Sequence, residues 1–133
     1  MGNNVSCESH SYNAGNYYNY PAAALGNNAS NSVCPKGWTL PNNAKGTSYS
    51  RLLEAYGIDH AATTKSNYDS GLVNLPLSFL RSGIYSSSGT LTTQGSRGSY
   101  RMTSQRLYFH SDSLKPTNST SAYTGYSVRC VSR

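Results

Sequence analysis

The residues that could carry catalysis are three histidines, five carboxylates and many serines: His10, His60, His110, Glu8, Glu54, Asp59, Asp69, Asp112 and the Ser-rich runs. Neither a Gly-x-Ser-x-Gly nucleophile elbow nor a His-Glu-x-x-His zinc motif is present. His110 lies close to Asp112, but in so Ser-rich a chain a Ser, His and Asp near one another are expected by chance. We therefore predict that the protein is not an enzyme and that each histidine lies at the surface.

Metal and cofactor sites are also not predicted. The three cysteines, Cys7, Cys34 and Cys130, include no Cys-x-x-Cys pair that would suggest zinc. Five acidic residues are too few to indicate a dedicated calcium cage. A single disulfide with one cysteine left over fits an extracytoplasmic protein, and three reduced thiols remain the alternative.

The last third of the chain, residues 95–133, combines two kinds of residue. Apolar Leu107 and Phe109 alternate with polar neighbours, as in a half-buried strand, whereas the intervening runs are rich in Ser, Thr, Asn and Tyr. Such runs on a strand scaffold are more typical of a binding face than of a catalytic pocket. The candidate ligand-binding residues are Arg97, Arg101, Met102, Ser104, Gln105, Tyr108, His110, Ser119, Thr120 and Tyr123.

The composition supports a contact surface. In 133 residues, sufficient for one domain, only 36% are hydrophobic and 12% charged, while 12 are Tyr. Tyr combined with Ser, Gly and Asn is typical of protein paratopes, because Tyr offers a large amphipathic contact area with few rotamers to lose. A surface-exposed β-rich domain that uses Tyr, Ser and Thr as ordinary strand residues is the alternative.

The formal net charge of +6 does not predict a nucleic-acid partner. The Lys and Arg residues are scattered, and only Arg97, Arg101 and Arg106 lie close together. We interpret the charge as favouring solubility and some attraction to acidic partners such as acidic glycans. No apolar run has the length of a membrane helix, so insertion of this chain into a membrane is not predicted.

One helix is predicted clearly, over Ser48 to Tyr56. Thr47 or Ser48 can cap it, its apolar residues have i, i+3, i+4, i+7 spacing, and Gly57 can end it. A shorter helix is predicted from Ala22 to Leu25, with Pro21 in its first turn and Gly26 at its end.

Strands are predicted in the C-terminal half, which makes the fold class α+β with small antiparallel sheets. Their bounds are Leu77 to Tyr85, Thr90 to Thr93, Arg106 to Ser111 and Ser127 to Ser132. Trp38, the largest apolar side chain, is predicted to lie in the core.

An ordered series of motifs carries a family resemblance. It consists of CPKGWTLP (Cys34 to Pro41), SRLLEAYG, PLSFLRSGIY (Pro76 to Tyr85), QGSRGSY, LYFHSDSLKP and GYSVRCV (Gly125 to Val131). From about Tyr17 onward the chain resembles the bacterial surface-protein domain known as the Fibrobacter succinogenes major paralogous domain.

This resemblance implies a C-type-lectin-like fold, with one or two short helices, long loops, and N- and C-terminal strands brought together. Residues 1–133 would form a single ligand-binding domain, with Met1 and Gly2 derived from an expression vector. The same fold serves the variable proteins of diversity-generating retroelements, in which C-terminal codons are mutated to diversify ligand binding. The binding face would therefore be built from the C-terminal loops.

The resemblance also implies the cysteine pairing. Cys34 and Cys130 lie in the two family motifs and are the expected disulfide, worth about 4–5 kcal/mol in the chain-entropy model. Cys7 would be unpaired, or paired with sequence outside this chain.

The chain departs from the family pattern at SYRMTSQ (Ser99 to Gln105), which is shorter than the family's aromatic run. The change falls on the expected binding face. The signature motifs of calcium-dependent lectins are absent, so calcium-dependent sugar binding does not carry over.

The sequence thus predicts a ligand-binding module whose ligand is a protein or glycan on another cell or a phage. A variable protein of a diversity-generating retroelement is one form that such a module takes. It would lie at the cell surface or outside the cell, its leader missing from this chain. The alternative is a structural or adhesive domain of a bacterial surface or fibre protein without a dedicated pocket.

Overall fold

The computed structural model describes residues 4–5, 16–24, 32–59, 65–66, 72–73, 77–111 and 113–132. The expectations for Cys7, His10 and His60 and for the end of the first helix at Leu25 lie outside these residues.

The described residues form a mixed α/β structure with small antiparallel sheets, as the sequence predicts. The helices are α1 (Tyr20–Ala23) and α2 (Ser48–Ala55). The strands are β1 (Asn4–Val5), β2 (Tyr17–Tyr18), β3 (Trp38–Thr39), β4 (Lys65–Ser66), β5 (Ile84–Tyr85), β6 (Leu91–Thr92), β7 (Gly98–Arg101), β8 (Arg106–His110), β9 (Ser113–Asn118) and β10 (Val131–Ser132).

The predicted main helix is confirmed as α2. The Thr47 side chain accepts a hydrogen bond from the backbone N–H of Ser50, and Gly57 follows the helix with φ of +70°. Glycine adopts that left-handed conformation without steric cost, so the helix ends there. Tyr49 and Leu53 are buried against the core, while Tyr56 at the end of the same face remains exposed.

The main sheet has four strands in the order β4-β9-β8-β7, all antiparallel. Gly98 pairs with Phe109 and Tyr100 with Leu107, so all four project to one side. Leu107 and Phe109 are fully buried, whereas Arg106, Tyr108 and His110 are half-buried. The alternation predicted for this strand is confirmed.

The core lies between this side of the sheet and α2. Phe79 packs edge-on against Tyr100, with ring centroids 4.9 Å apart, and Tyr100 stacks on Phe109 at 6.2 Å. Offset and edge-to-face contacts of this kind are the favoured aromatic geometries. The apolar side of the sheet is therefore packed against the core.

A second, smaller core joins the early and late parts of the chain. Ala23, Ala24 and Leu40 are buried there, beside the Cys34–Cys130 disulfide. β10 pairs with β3, and Tyr18 forms an isolated bridge with Tyr126. The predicted disulfide is thus present, and strands from both ends of the described chain meet.

Three sequence predictions differ from the structure. The strand expected from Leu77 reduces to β5, since Ser78 has a positive φ of 49° that interrupts extended backbone. The strand expected from Ser127 to Ser132 reduces to β10, preceded by isolated bridges at residues 125–127. The short helix begins at Tyr20 instead of Ala22, because the Asn19 side chain accepts a hydrogen bond from the Ala22 N–H and caps it.

Trp38 is not a core residue. It is 47% exposed and lies on β3, whose partner is the two-residue strand β10. Its ring lines an apolar cavity of about 320 Å³ together with Tyr49, Leu52 and Val131. So short a sheet leaves one side of the indole uncovered.

Candidate ligand-binding face

The side of the main sheet opposite the core is here called the outer face. Ser99 pairs with Tyr108 and Arg101 with Arg106, so these four side chains share that face. Tyr108 also pairs with Lys115 on β9. The outer face is therefore polar and aromatic, whereas the inner side of the same sheet is apolar.

Arginine and tyrosine side chains alternate along this face. The guanidinium of Arg101 lies 5.9 Å from the ring centroid of Tyr20 and 4.5 Å from that of Tyr126. Arg106 lies 5.1 Å from Tyr126 and 5.2 Å from Tyr108. Each contact is within cation–π range, about 0.5–2 kcal/mol apiece. The resulting arginine–tyrosine row runs Tyr20, Arg101, Tyr126, Arg106, Tyr108.

Arg101 was predicted to contact a ligand from the surface, and the structure shows that it is completely buried. Its Nη1 donates to Thr120 Oγ1 at 2.8 Å, and its Nη2 donates to the carbonyls of Ser121 at 2.9 Å and Thr124 at 3.0 Å. Arg101 therefore holds the loop of residues 119–124, here called the pinned loop. The predicted role of Arg101 as a surface contact is thus corrected: the side chain positions this loop.

Burial lowers the pKa of Arg101 to about 10, partly offset by the adjacent Tyr126 and lowered further by Arg106. The guanidinium remains charged at neutral pH. The loop oxygens replace the water lost by Nη1 and Nη2, and two aromatic faces cover the group, while Nε has no hydrogen-bond partner among the described residues.

Met102 was also predicted to lie on the binding surface, and it is 1% exposed within the main core. The reason is the strand period of two. Gly98 and Tyr100 face inward, and Met102 continues the same side.

The other eight predicted ligand-binding residues are exposed or half-buried. Arg97, Ser104, Ser119 and Tyr123 are exposed, and Gln105, Tyr108, His110 and Thr120 are half-buried. Tyr123, in the pinned loop, is 70% exposed, the largest value among the exposed large hydrophobic residues. Its backbone N–H donates to Ser121 Oγ, so the loop presents the ring from an ordered position.

Four of these eight residues line two hollows. Arg97 and Tyr108 line a basic hollow of about 220 Å³ with Ile84, Thr93, Ser99, Arg106, Lys115 and Asn118. Ser104 and Thr120 line a second hollow of about 290 Å³, the loop hollow, with Tyr20, Arg101, Thr103 and Ala122. The arginine–tyrosine row connects the two hollows.

The remaining members lie beside these hollows or outside them. His110 packs edge-on against Tyr108, with centroids 5.9 Å apart. Gln105 accepts a hydrogen bond from Asn43 Nδ2 through its Oε1 at 2.6 Å, so it also fixes neighbouring chain. Ser119 and Tyr123 belong to the pinned loop.

Sequence reasoning missed four residues of this arrangement: Tyr20, Ser99, Arg106 and Tyr126. Ser99 and Arg106 had a usable signal, since they lie in phase with Arg97 and Tyr108 along their strands. Tyr20 comes from a distant helix and Tyr126 from an isolated bridge, so no local pattern marks either one.

The comparisons with known proteins add no assignment: no family model, curated protein or solved structure matches the chain. Among the described residues no group of three or more His, Cys, Asp or Glu side chains could hold a metal ion. Likewise, no helix in the described ranges combines the length and apolar character needed to cross a membrane.

Proposed function

We propose that this chain is a ligand-binding module with a C-type-lectin-like fold, which presents the outer face of its main sheet to a ligand outside the cell. The observation that carries the proposal is the contrast between the two sides of one sheet. The inner side is packed with aromatic and aliphatic residues, while the outer side is polar and opens into two hollows. In the arginine–tyrosine row between them, Arg101 and Tyr126 are buried and support the face, and Arg106 and Tyr108 are half-buried.

The chemistry of the outer face favours recognition over catalysis. Tyr and Arg are the residues most enriched at binding hot spots, because both combine a flat contact surface with hydrogen-bond donors. The pinned loop adds Tyr123 on a fixed support, which limits the entropy lost when a ligand binds. The motif resemblance to surface-protein domains and the Cys34–Cys130 disulfide support a location at the cell surface or beyond it.

Binding by variants tests this proposal. Labelled protein would be added to a panel of bacterial and phage surface polysaccharides and proteins, and retention measured for wild type, Tyr123→Ala and Ser104→Arg. The control variant is Tyr56→Ala, which removes an exposed Tyr from α2. Loss of binding in the two outer-face variants, with the control unchanged, supports the module. Equal binding by all four proteins favours the structural or adhesive alternative.

Diversification is a separate part of the proposal. A retroelement variable protein would be encoded near a reverse transcriptase and near a second copy of its 3′ end that differs at adenines. An ordinary gene neighbourhood would leave a binding module of fixed specificity. The eight candidate contact residues that are exposed or half-buried would then be inherited contacts instead of mutated ones.

A further inference from the structure

The basic hollow contains three cations and no carboxylate among its lining residues. Arg97, Arg106 and Lys115 surround it, from the segment before β7, from β8 and from β9. Converging like charges repel one another, at a cost that an anion between them removes. Surface cations without a nearby acid are usually spread apart, so this convergence needs a reason.

Buried donors beneath the hollow also lack partners. Ser99 is completely buried, and its Oγ has no hydrogen-bond partner within the described part of the chain. The Nε of Arg106 is likewise buried and unpaired there. Buried polar groups in folded proteins are nearly all hydrogen-bonded. Five other buried side-chain atoms of the described residues also lack partners, so these two support the argument from the converging charges and do not carry it alone.

The neutral lining residues add the groups that bind a sugar. Asn118 Oδ1 accepts the Ser119 N–H, which leaves its amide nitrogen to donate. Thr93 supplies a hydroxyl from a backbone held at φ of +59°, a conformation rare for a β-branched residue and often retained at functional sites. Tyr108, braced by Arg106 and His110, presents a ring edge and a hydroxyl.

From these contacts we propose that the basic hollow binds the oxyanion group, carboxylate or sulfate, of an acidic polysaccharide. Arg97, Arg106 and Lys115 would contact the charged group, and Asn118 and Thr93 the adjoining hydroxyls. The volume of about 220 Å³ is below the range of pockets that enclose a drug-sized ligand. It suits one acidic sugar of a chain that continues across the outer face. The inference deepens the proposed function and rests on it.

The test is binding of purified protein to immobilised polygalacturonate, dextran sulfate and neutral dextran, measured by biolayer interferometry. The variants are Arg97→Gln and Lys115→Gln, whose side chains lie at the accessible rim. Arg106 is avoided because its contacts with Tyr108 and Tyr126 support the sheet. Lys36→Gln and Arg51→Gln remove the same single charge from exposed positions outside the hollow. Thermal melting checks that every variant is folded.

We expect binding to at least one of the two acidic polymers and none to neutral dextran. Each hollow variant should weaken it about tenfold, the effect of losing one charge-assisted contact. The two controls should stay within about twofold of wild type, since a distant charge acts only through the screened overall field. Whichever polymer binds more tightly distinguishes carboxylate from sulfate.

Two outcomes overturn the inference. Equal weakening in hollow and control variants would show non-specific attraction to a basic protein, and absence of binding to both polymers would remove the ligand class. A single-stranded oligonucleotide of matched charge is run alongside. If it binds more tightly than either polymer and depends on Arg97 and Lys115, the hollow is a nucleic-acid contact instead.

Failure here is distinguishable from failure of the module itself. Tyr123 and Ser104 do not line the basic hollow. Ligand binding that depends on these residues but not on Arg97 or Lys115 keeps the module and rejects the oxyanion site.

Discussion

At the level of single residues, Arg101 shows how a charged side chain on the outer face can have a structural role. Its three hydrogen bonds end on a loop 19 to 23 residues away in sequence, and two tyrosine rings cover it. The side chain thus converts one strand position into the support of the pinned loop. Tyr123 lies in this loop, so its position depends on Arg101 although none of the three hydrogen bonds ends on Tyr123 itself.

Arg101→Lys should therefore destabilise the protein although charge is retained. Lysine has no planar fork to reach Thr120, Ser121 and Thr124 together, and we expect a loss of about 2–4 kcal/mol in the free energy of unfolding. Urea denaturation measures it. Arg97→Lys is the matched control, because Arg97 is exposed and lies in phase with Ser99 and Arg101. It should change the free energy of unfolding by less than about 0.5 kcal/mol. Similar losses in both variants would contradict the positioning role.

Two buried tyrosines predict how stability responds to alkali. Burial raises the pKa of Tyr49, whose hydroxyl donates to the Pro116 carbonyl, and also that of Tyr100, where the Leu80 N–H and Arg129 partly oppose the shift. A phenol with a folded pKa above its unfolded value of about 10 contributes stability that is fully present below pH 10 and lost as pH rises.

The free energy of unfolding, measured from neutral pH upward, should fall above about pH 10. The phenolate absorbance of Tyr49 and Tyr100 should appear only well above that pH. Arg101, with its lowered pKa, acts in the opposite direction over the same range. Comparison with Tyr49→Phe isolates one phenol, and its decline should be shallower than that of wild type. Titration of all 12 tyrosines together while the protein stays folded would contradict this account.

At the level of elements, the packing of β7 against β8 depends on Gly98, which has no side chain. A Cβ on Gly98 would lie 2.1 Å from Cζ of Phe109, far inside van der Waals contact. Phe109 is fully buried and held by Tyr100 and Phe79, so its ring has no free direction in which to move. The glycine is required for packing, since its φ is not in the left-handed region.

Gly98→Ala should accordingly cost about 1–3 kcal/mol, the usual effect of overpacking a core. Ser99→Ala on the same strand is the matched control. Its hydroxyl is buried without a partner among the described residues, so its removal should leave stability unchanged or slightly raised. Thermal melting of both variants decides the point, and an unchanged melting temperature for Gly98→Ala would show that Phe109 can shift.

Local elements were predictable where the physical cause is local. The α2 helix follows from side-chain spacing, a Thr cap and a following glycine, and β8 follows from alternation. The separate period of two in β7, applied to Gly98 and Tyr100, would also have placed Met102 in the core. Arg101 was not predictable in this way, because its cover consists of Tyr20, Tyr126 and the pinned loop, all distant in sequence. Trp38 failed for a similar reason, since its neighbours are set by the pairing of β3 with β10.

At the level of the whole molecule, the outer face needs both ends of the described chain. Tyr20 follows β2, Tyr126 lies just before the last strand, and the Tyr18–Tyr126 bridge holds them together. The arginine–tyrosine row therefore spans segments that only tertiary structure unites. Whatever joins those segments also maintains the outer face.

The Cys34–Cys130 disulfide is such a connection, closing a sequence separation of 96 residues. In the chain-entropy model a loop of this length is worth about 4–5 kcal/mol, so the Cys34→Ala/Cys130→Ala variant should unfold at much lower urea than wild type. Cys7→Ser is the background for both proteins, so that no free thiol exchanges with the bond.

Trp38, on the strand adjoining Cys34, gives a fluorescence signal of local opening, while circular dichroism follows the sheets. Coincident transitions at lower urea would show that the bond stabilises the whole domain. An earlier Trp38 transition would show that it mainly holds β3 against β10, and unchanged midpoints would contradict a stabilising role.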